Sequence, residues 1–181
     1  MRITFDELVK VFAEKLEKRG VPREDALLAG QILAQNSLDG IYSHGVNRFP
    51  RLVSYIDKGY IDPKAKAEKV ESFGAYEQWD GHLALGMVSA KIAMDRAIEI
   101  AKQYGIGLVA IRNTNHWMRG GYYGWQAADQ GMIGICWTNT QPNMPAWGAK
   151  DRRIGNNPFV MAVPRKNGEH IVLDSAMSQF S

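Results

Sequence analysis

His44 and Arg48 stand four positions apart in Ser43-His44-Gly45-Val46-Asn47-Arg48, and their side chains suit one kind of chemistry. If the segment opens a helix with Ser43 as its N-cap, both side chains share one face. The planar fork of an arginine holds a carboxylate through paired hydrogen bonds and stays charged. An imidazole titrates near neutrality and hands over or accepts a proton. Together they suit a small carboxylate substrate that must gain or lose a proton. A helix N-terminus there would also lower the histidine pKa and attract an anion. A surface histidine capping a helix beside a solvated arginine fits the same spacing, and the residues alone leave both descriptions open.

A second polar cluster follows an apolar run. Ile106-Gly107-Leu108-Val109-Ala110-Ile111 reads as a buried strand, and Arg112 to Gly121 follows it. Polar clusters at strand ends that feed a helix are frequent ligand sites in α/β proteins. His116 is either a second acid/base or substrate ligand, or a structural histidine hydrogen-bonded at the strand end. Gly120 and Gly121 allow close backbone approach.

The elements that must position these residues are legible in outline. Thr4-Phe5-Asp6-Glu7 is a capping box, followed by Leu8, Val11, Phe12 and Leu16 on one face. A second helix is predicted from about Arg23 to Ser37, with Leu27, Gly30, Leu33 and Ala34 packing, and a third from Phe49 to Lys58. Residues 59–69 read as a connector. Beyond it, 70–79 alternates with period two and ends at the turn signal Asp80-Gly81, so a domain boundary is expected near residue 65. His82 reads as an exposed or capping histidine. A long helix is expected over 85–104, with Met87, Ile92, Ala93 and Ile98 on its apolar face. A shorter helix follows over 122–130, then strands over 132–137 and 159–163. Lys166-Asn167-Gly168 is a hairpin turn leading to a return strand at 171–174.

Composition narrows the class. The 181 residues are 45% hydrophobic and 23% charged, with a net charge of +3, which argues for a globular protein and against a nucleic-acid binder. A lone Cys136 excludes an internal disulfide and fits a reducing compartment. No signal peptide and no membrane-spanning run are read, so a cytoplasmic protein is expected. A G-x-G-x-x-G fingerprint, a Walker A loop, a G-x-S-x-G elbow and metal-ligand spacing are all missing.

The run Ser43-His44-Gly45-Val46-Asn47-Arg48 resembles the S-H-G-x-x-R signature of the malate/L-lactate dehydrogenase family, whose members use a nicotinamide nucleotide without a Rossmann fold. Gly105 to Ala110, Asn115 to Gly121, Gly134 to Asn139, Trp147-Gly148-Ala149 and Asn157-Pro158 are similar to further family segments. Asp174-Ser175-Ala176-Met177-Ser178 resembles the nucleotide-contacting D-x-A-x-S segment. Ser175 departs from the family, where a larger apolar residue is common. The forms at 43–51 and 115–121 are similar to the branch acting on 2,3-diketo-L-gulonate.

The resemblance implies an α/β (α+β) fold. A helical N-terminal domain over 1–65 would carry the catalytic pair, and a non-Rossmann nucleotide-binding domain with a mixed, largely antiparallel sheet would occupy 66–181. It implies NAD(P)H-dependent reduction of a 2-keto acid, with NADH or NADPH as cofactor and no metal. His44 would be the proton donor, and Ser43, Arg48 and His116 would contact the substrate. His170, Ile171, Val172, Leu173, Asp174, Ser175 and Ala176 would line the nucleotide. A homodimer is implied, and family members are longer, so a further C-terminal part is expected beyond Ser181. Three other readings use the same residues: a non-catalytic remnant or anion-binding domain, a relative acting on malate, lactate or another 2-hydroxy acid, and a lyase or isomerase needing no nicotinamide.

Overall fold

Thr4 starts the first helix as its residue type predicts: Glu7 N–H donates to Thr4 Oγ1 and Thr4 N–H donates to Glu7 Oε2, at 3.3 and 3.0 Å. The computed structural model describes residues 2–178. It contains α1 (Phe5–Glu17), α2 (Arg23–Leu38), two short 3₁₀ turns (Tyr42–His44 and Val46–Arg48) and α3 (Phe49–Asp57). Then come β1 (Glu68–Phe73), β2 (Tyr76–Asp80), α4 (Gly86–Tyr104), β3 (Leu108–Arg112) and α5 (Gly121–Asp129). The remaining strands are β4 (Gly134–Trp137), β5 (Met144–Pro145), β6 (Arg152–Ile154), β7 (Phe159–Val163) and β8 (Ile171–Ser175).

The fold is mixed α/β, as expected, but its strands form three small sheets rather than one. β1-β2-β3 has one antiparallel and one parallel pairing, β4-β7-β8 is antiparallel throughout, and β5 pairs with β6. The short strands β5 and β6 form a two-stranded ribbon between β4 and β7 in the sequence.

The chain divides into two compact units, Met1–Arg119 and Gly120–Ser181. The division does not fall near residue 65, although the composition changes there. Residues 60–62 are tied to later segments of the first unit: Asp62 N–H donates to Leu83 O and the Asn115 amide donates to Tyr60 O. Ile61 is buried as well. The change at 65 marks the passage from helices to strands inside one unit.

In the first unit, α1 presents Val9, Phe12, Ala13 and Leu16 to α2, which answers with Ala26, Ala29, Ile32 and Leu33. The buried stripe is rotated from the one read in the sequence: Val11 and Leu27 face solvent. Gly30 sets this rotation, because it lets α2 lie against the Val9 carbonyl and the Ala13 backbone. On α4, Ile92 is likewise exposed while Ile100 is buried. The run at 106–111 is not a buried strand. β3 lies at the edge of its sheet and alternates in exposure, and Ile106 ahead of it is 68% exposed.

Glu77 on β2 is a nearly inaccessible carboxylate. It accepts from Arg96 Nε and Nη2 on α4 and from Trp79 Nε1. These bonds, Arg96 first, hold its pKa below the ordinary 4.5. The ionised form therefore stabilises the fold at neutral pH, and that contribution fades as pH falls through the depressed value. Glu77→Gln should lower the midpoint of thermal unfolding at neutral pH and flatten its decline below about pH 5. Equal acid dependence in the two proteins would remove Glu77 from the acid response.

In the second unit, Gly134, Cys136, Val160, Ala162 and Val172 alternate toward one face of the β4-β7-β8 sheet. Gly124 on α5 rests against Val160, Ala162 and Val172 of that face. Burial pushes the Cys136 thiol up to about 12, so it is not a nucleophile.

Candidate active site

The loop between α2 and α3 is stitched to the last turn of α2. Asn36, fully buried, donates from Nδ2 to the His44 carbonyl at 3.0 Å. Ser37 Oγ donates to Leu33 O at 2.8 Å and accepts from Val46 N–H at 2.9 Å. Gly45 lies so close to Ser37 and Leu33 that a Cβ there would overlap the Ser37 hydroxyl. Phe49 then meets Phe12 of α1 with ring centroids 4.4 Å apart, fixing the start of α3 just after Arg48. Ser43 is not a helix N-cap: it lies inside the first 3₁₀ turn, and its Oγ is 2.9 Å from His44 Nδ1. The segment is held down by Asn36 and Ser37, so no cap is needed.

His116 arrives from 68 residues away. Its Nε2 is 3.2 Å from Arg48 Nη2, and its ring centroid is 5.6 Å from that of His44. Met118 N–H donates to His116 Nδ1 at 2.8 Å, with Met118 buried at a left-handed φ of 67°. Behind this loop, Asn115 donates to Leu83 O, and Gly86 at the head of α4 leaves no room for a Cβ beside the Asn115 carbonyl. Arg119 pairs with Asp39 beyond the end of α2. His44, Arg48 and His116, singled out by residue type, are thus brought together.

The cluster is cationic. Desolvation, then the charges of Arg48, His44 and Arg51, push the His116 pKa down to about 4, so the ring is neutral at physiological pH. The residue still keeps solvent-exposed surface, which leaves it accessible to a small ligand. The Met118 N–H on Nδ1 disfavours protonation independently of burial. Desolvation and Arg51 also lower the Arg48 pKa. Arg48 Nε is buried without a hydrogen-bond partner among the described residues. No cluster of potential metal ligands occurs among the described residues. A hollow of about 460 Å³ lies between α1 and α2 and is lined by none of these three residues.

In the second unit, His170 and Asp174 are engaged within the fold. The His170 side chain is 6% exposed; its Nδ1 accepts from Arg165 N–H at 3.1 Å and its Nε2 is 3.0 Å from Asp129. Asp174 Oδ2 accepts from Gly121 N–H at 2.8 Å, at the positive end of α5. Ile171 and Leu173 on β8 are exposed, with Val172, Ser175 and Ala176 half-buried. Thr140 joins the end of β4 to Asn156 and Asn157, donating from Oγ1 to Asn156 at 2.9 Å.

The sequence pattern of the family described as malate/L-lactate dehydrogenase matches residues 3–181. The chain belongs to that family. Over all 181 residues it is 51% identical to the 2,3-diketo-L-gulonate reductases of Klebsiella pneumoniae (strain 342) and Citrobacter koseri, covering 54% of each. The fold is similar to the sulfolactate dehydrogenase of Methanocaldococcus jannaschii, with a TM-score of 0.94 and 38% identity, covering 100% of this chain and 52% of that one. The chain spans about half the length of the curated relatives it matches.

Residue type alone does not mark the supports of this cluster. Asn36, Ser37, Gly86 and the Met118 N–H were not singled out. Asn36 and Ser37 carried a visible signal, because they continue at helical spacing the buried stripe of Ile32 and Leu33. A backbone N–H carries no sequence signal.

Proposed function

We propose that this chain carries the substrate-binding and proton-transfer residues of an NAD(P)H-dependent 2-keto acid reductase, with 2,3-diketo-L-gulonate as substrate and 3-dehydro-L-gulonate as product. The observation that carries this reading is the junction of His44, Arg48 and His116 in one cationic cluster. The name borne by relatives at 51% identity supports the substrate.

Arg48 binds the carboxylate and orients the adjacent carbonyl. His44 delivers a proton to the carbonyl oxygen as the C2 carbon is reduced, giving a hydroxyl; in reverse it removes that proton. Its Nδ1 partner suits the task. The Ser43 hydroxyl accepts when Nδ1 is protonated and donates when it is not, so both states of the ring are satisfied.

A nicotinamide nucleotide, when bound, supplies the hydride. The second unit offers residues that fit such a group. Among the described residues β8 is the edge strand of its sheet, and exposed Ile171 and Leu173 give an apolar surface along that edge. Residues 170–176 would hold the nucleotide through this backbone and through Ile171 and Leu173, since the His170 ring and the Asp174 carboxylate already serve the fold. The reading takes NADH before NADPH, a homodimer as the assembly and the cytoplasm as compartment. Among the described residues, no helix is long and apolar enough to cross a membrane.

Oxidation of NADH and NADPH by the protein, followed by absorbance with 2,3-diketo-L-gulonate, pyruvate, oxaloacetate and sulfopyruvate, tests the reading. Highest kcat/KM is expected with the first. A preference for oxaloacetate or sulfopyruvate would move the assignment toward the malate and sulfolactate branches. No turnover with any of them would leave anion binding without catalysis.

A further inference from the structure

Both ring nitrogens of His116 face a hydrogen-bond donor. Met118 N–H points at Nδ1, and the Arg48 guanidinium lies against Nε2. A neutral imidazole has one lone pair and one N–H; an imidazolium has no lone pair at all. The two donors cannot both be satisfied. The backbone N–H is the fixed one, because Met118 is buried and the Asn115 side chain pins the same loop to Leu83. Its hydrogen bond takes the lone pair at Nδ1, so Nε2 carries the hydrogen. That N–H then confronts the N–H of Arg48 with no acceptor between them. Arg48 Nε is a further buried donor without a partner among the described residues. An unpartnered buried donor such as Arg48 Nε is costly and rare in folded proteins, and the exposed pair of His116 Nε2 with Arg48 Nη2, of the same guanidinium, is open to a ligand.

We infer that Nε2–H of His116 and the Arg48 guanidinium form a two-donor clamp for one carboxylate oxygen of the substrate, with His116 locked by Met118 in its neutral Nε2–H tautomer. The inference rests on the reductase reading above and separates the roles of the two histidines. His44 faces a hydroxyl, which can reverse its role as the ring gains or loses a proton. His116 faces a backbone N–H, which cannot, and works as a fixed donor. The charged and titratable groups acting on its ring are Arg48, His44 and Arg51, all cationic or able to become so, and each opposes its protonation. A substrate oxygen beside the pair, within reach of both Nε2–H and the Arg48 guanidinium, converts a repulsive donor pair into two hydrogen bonds. Such a site favours carboxylate oxygens and excludes protonated amines, which have no lone pair to offer.

The test is ring ¹⁵N NMR of histidine-labelled protein across the neutral pH range, with and without oxalate as an acceptor-only probe. Expected is a His116 ring whose Nδ1 stays in the unprotonated, pyridine-like range and whose Nε2 stays pyrrole-like, with no titration. Oxalate should shift the Nε2–H resonance. A His116 ring that titrates near neutrality, or that carries its proton on Nδ1, overturns the proposal. So does an Nε2–H resonance that oxalate leaves untouched. Kinetics separate this from the underlying reading. His116→Phe should raise KM for the keto acid by roughly 10- to 100-fold, and His116→Gln, which restores a neutral donor, should recover most of that loss. Turnover accompanied by a titrating His116 would sink the clamp and keep the reductase. A locked, oxalate-responsive His116 in a protein without turnover would do the reverse.

Discussion

Replacing His44 by alanine should lower kcat/KM for keto acid reduction by about 10²- to 10⁴-fold, the range that a positioned acid contributes. The loss should fall mainly on kcat, because the carboxylate contact of Arg48 is untouched. A step that needs a protonated imidazole slows as pH rises, and this dependence should vanish in His44→Ala. His116 cannot take over, since its Nδ1 lone pair is committed to Met118 N–H and its pKa is driven down to about 4. The substitution should leave the fold intact. The loop is secured through the His44 carbonyl, Val46 N–H and Gly45, none of which depends on the imidazole. Steady-state rates over a pH series, beside a thermal unfolding curve, provide the check. Full activity in a folded His44→Ala protein would remove His44 from proton transfer.

Arg48→Gln should act on the other side of the rate law, raising KM for the keto acid. Loss of one partner in a desolvated charge pair costs about 2–4 kcal/mol, which corresponds to roughly 30- to 1,000-fold. Arg48→Lys should recover little of it, because an ammonium lacks the planar fork and would not reproduce the Nε and Nη donors together. The folded protein should tolerate either change. Among the described residues Arg48 Nε has no partner to lose, and removing Nη2 relieves its confrontation with His116. A KM within twofold of the parent in both variants would place the carboxylate elsewhere.

Local chemistry was legible where it depended on neighbours in sequence. Thr4 and Glu7 form the capping box their spacing announces, and the strand at 159–163 and the hairpin through Gly168 lie where alternation and turn residues place them. The buried faces were less legible. Leu27 and Ile92 are as apolar as their buried neighbours, and only the partner helix decides which side of a broad stripe is covered. The strand at β3 shows the same limit, since a continuous apolar run does not say whether it will sit at a sheet edge. The separation near residue 65 was a change of secondary structure, and Asn115 reaching back to Tyr60 shows why it is not a break between units.

For the site itself, residue types were enough to say which groups are available: an imidazole at 44, a forked cation at 48 and a second ring at 116, within an α/β chain of the malate/L-lactate dehydrogenase family. That the third joins the first two, and what each ring can do, follows from the folded chain. The physical reason is that an imidazole's role depends on what its other nitrogen meets. At His44 that is the hydroxyl of an adjacent serine; at His116 it is a backbone N–H held by a left-handed, buried Met118. Backbone donors are identical at every non-proline residue, so their direction is set by the fold and not by residue type.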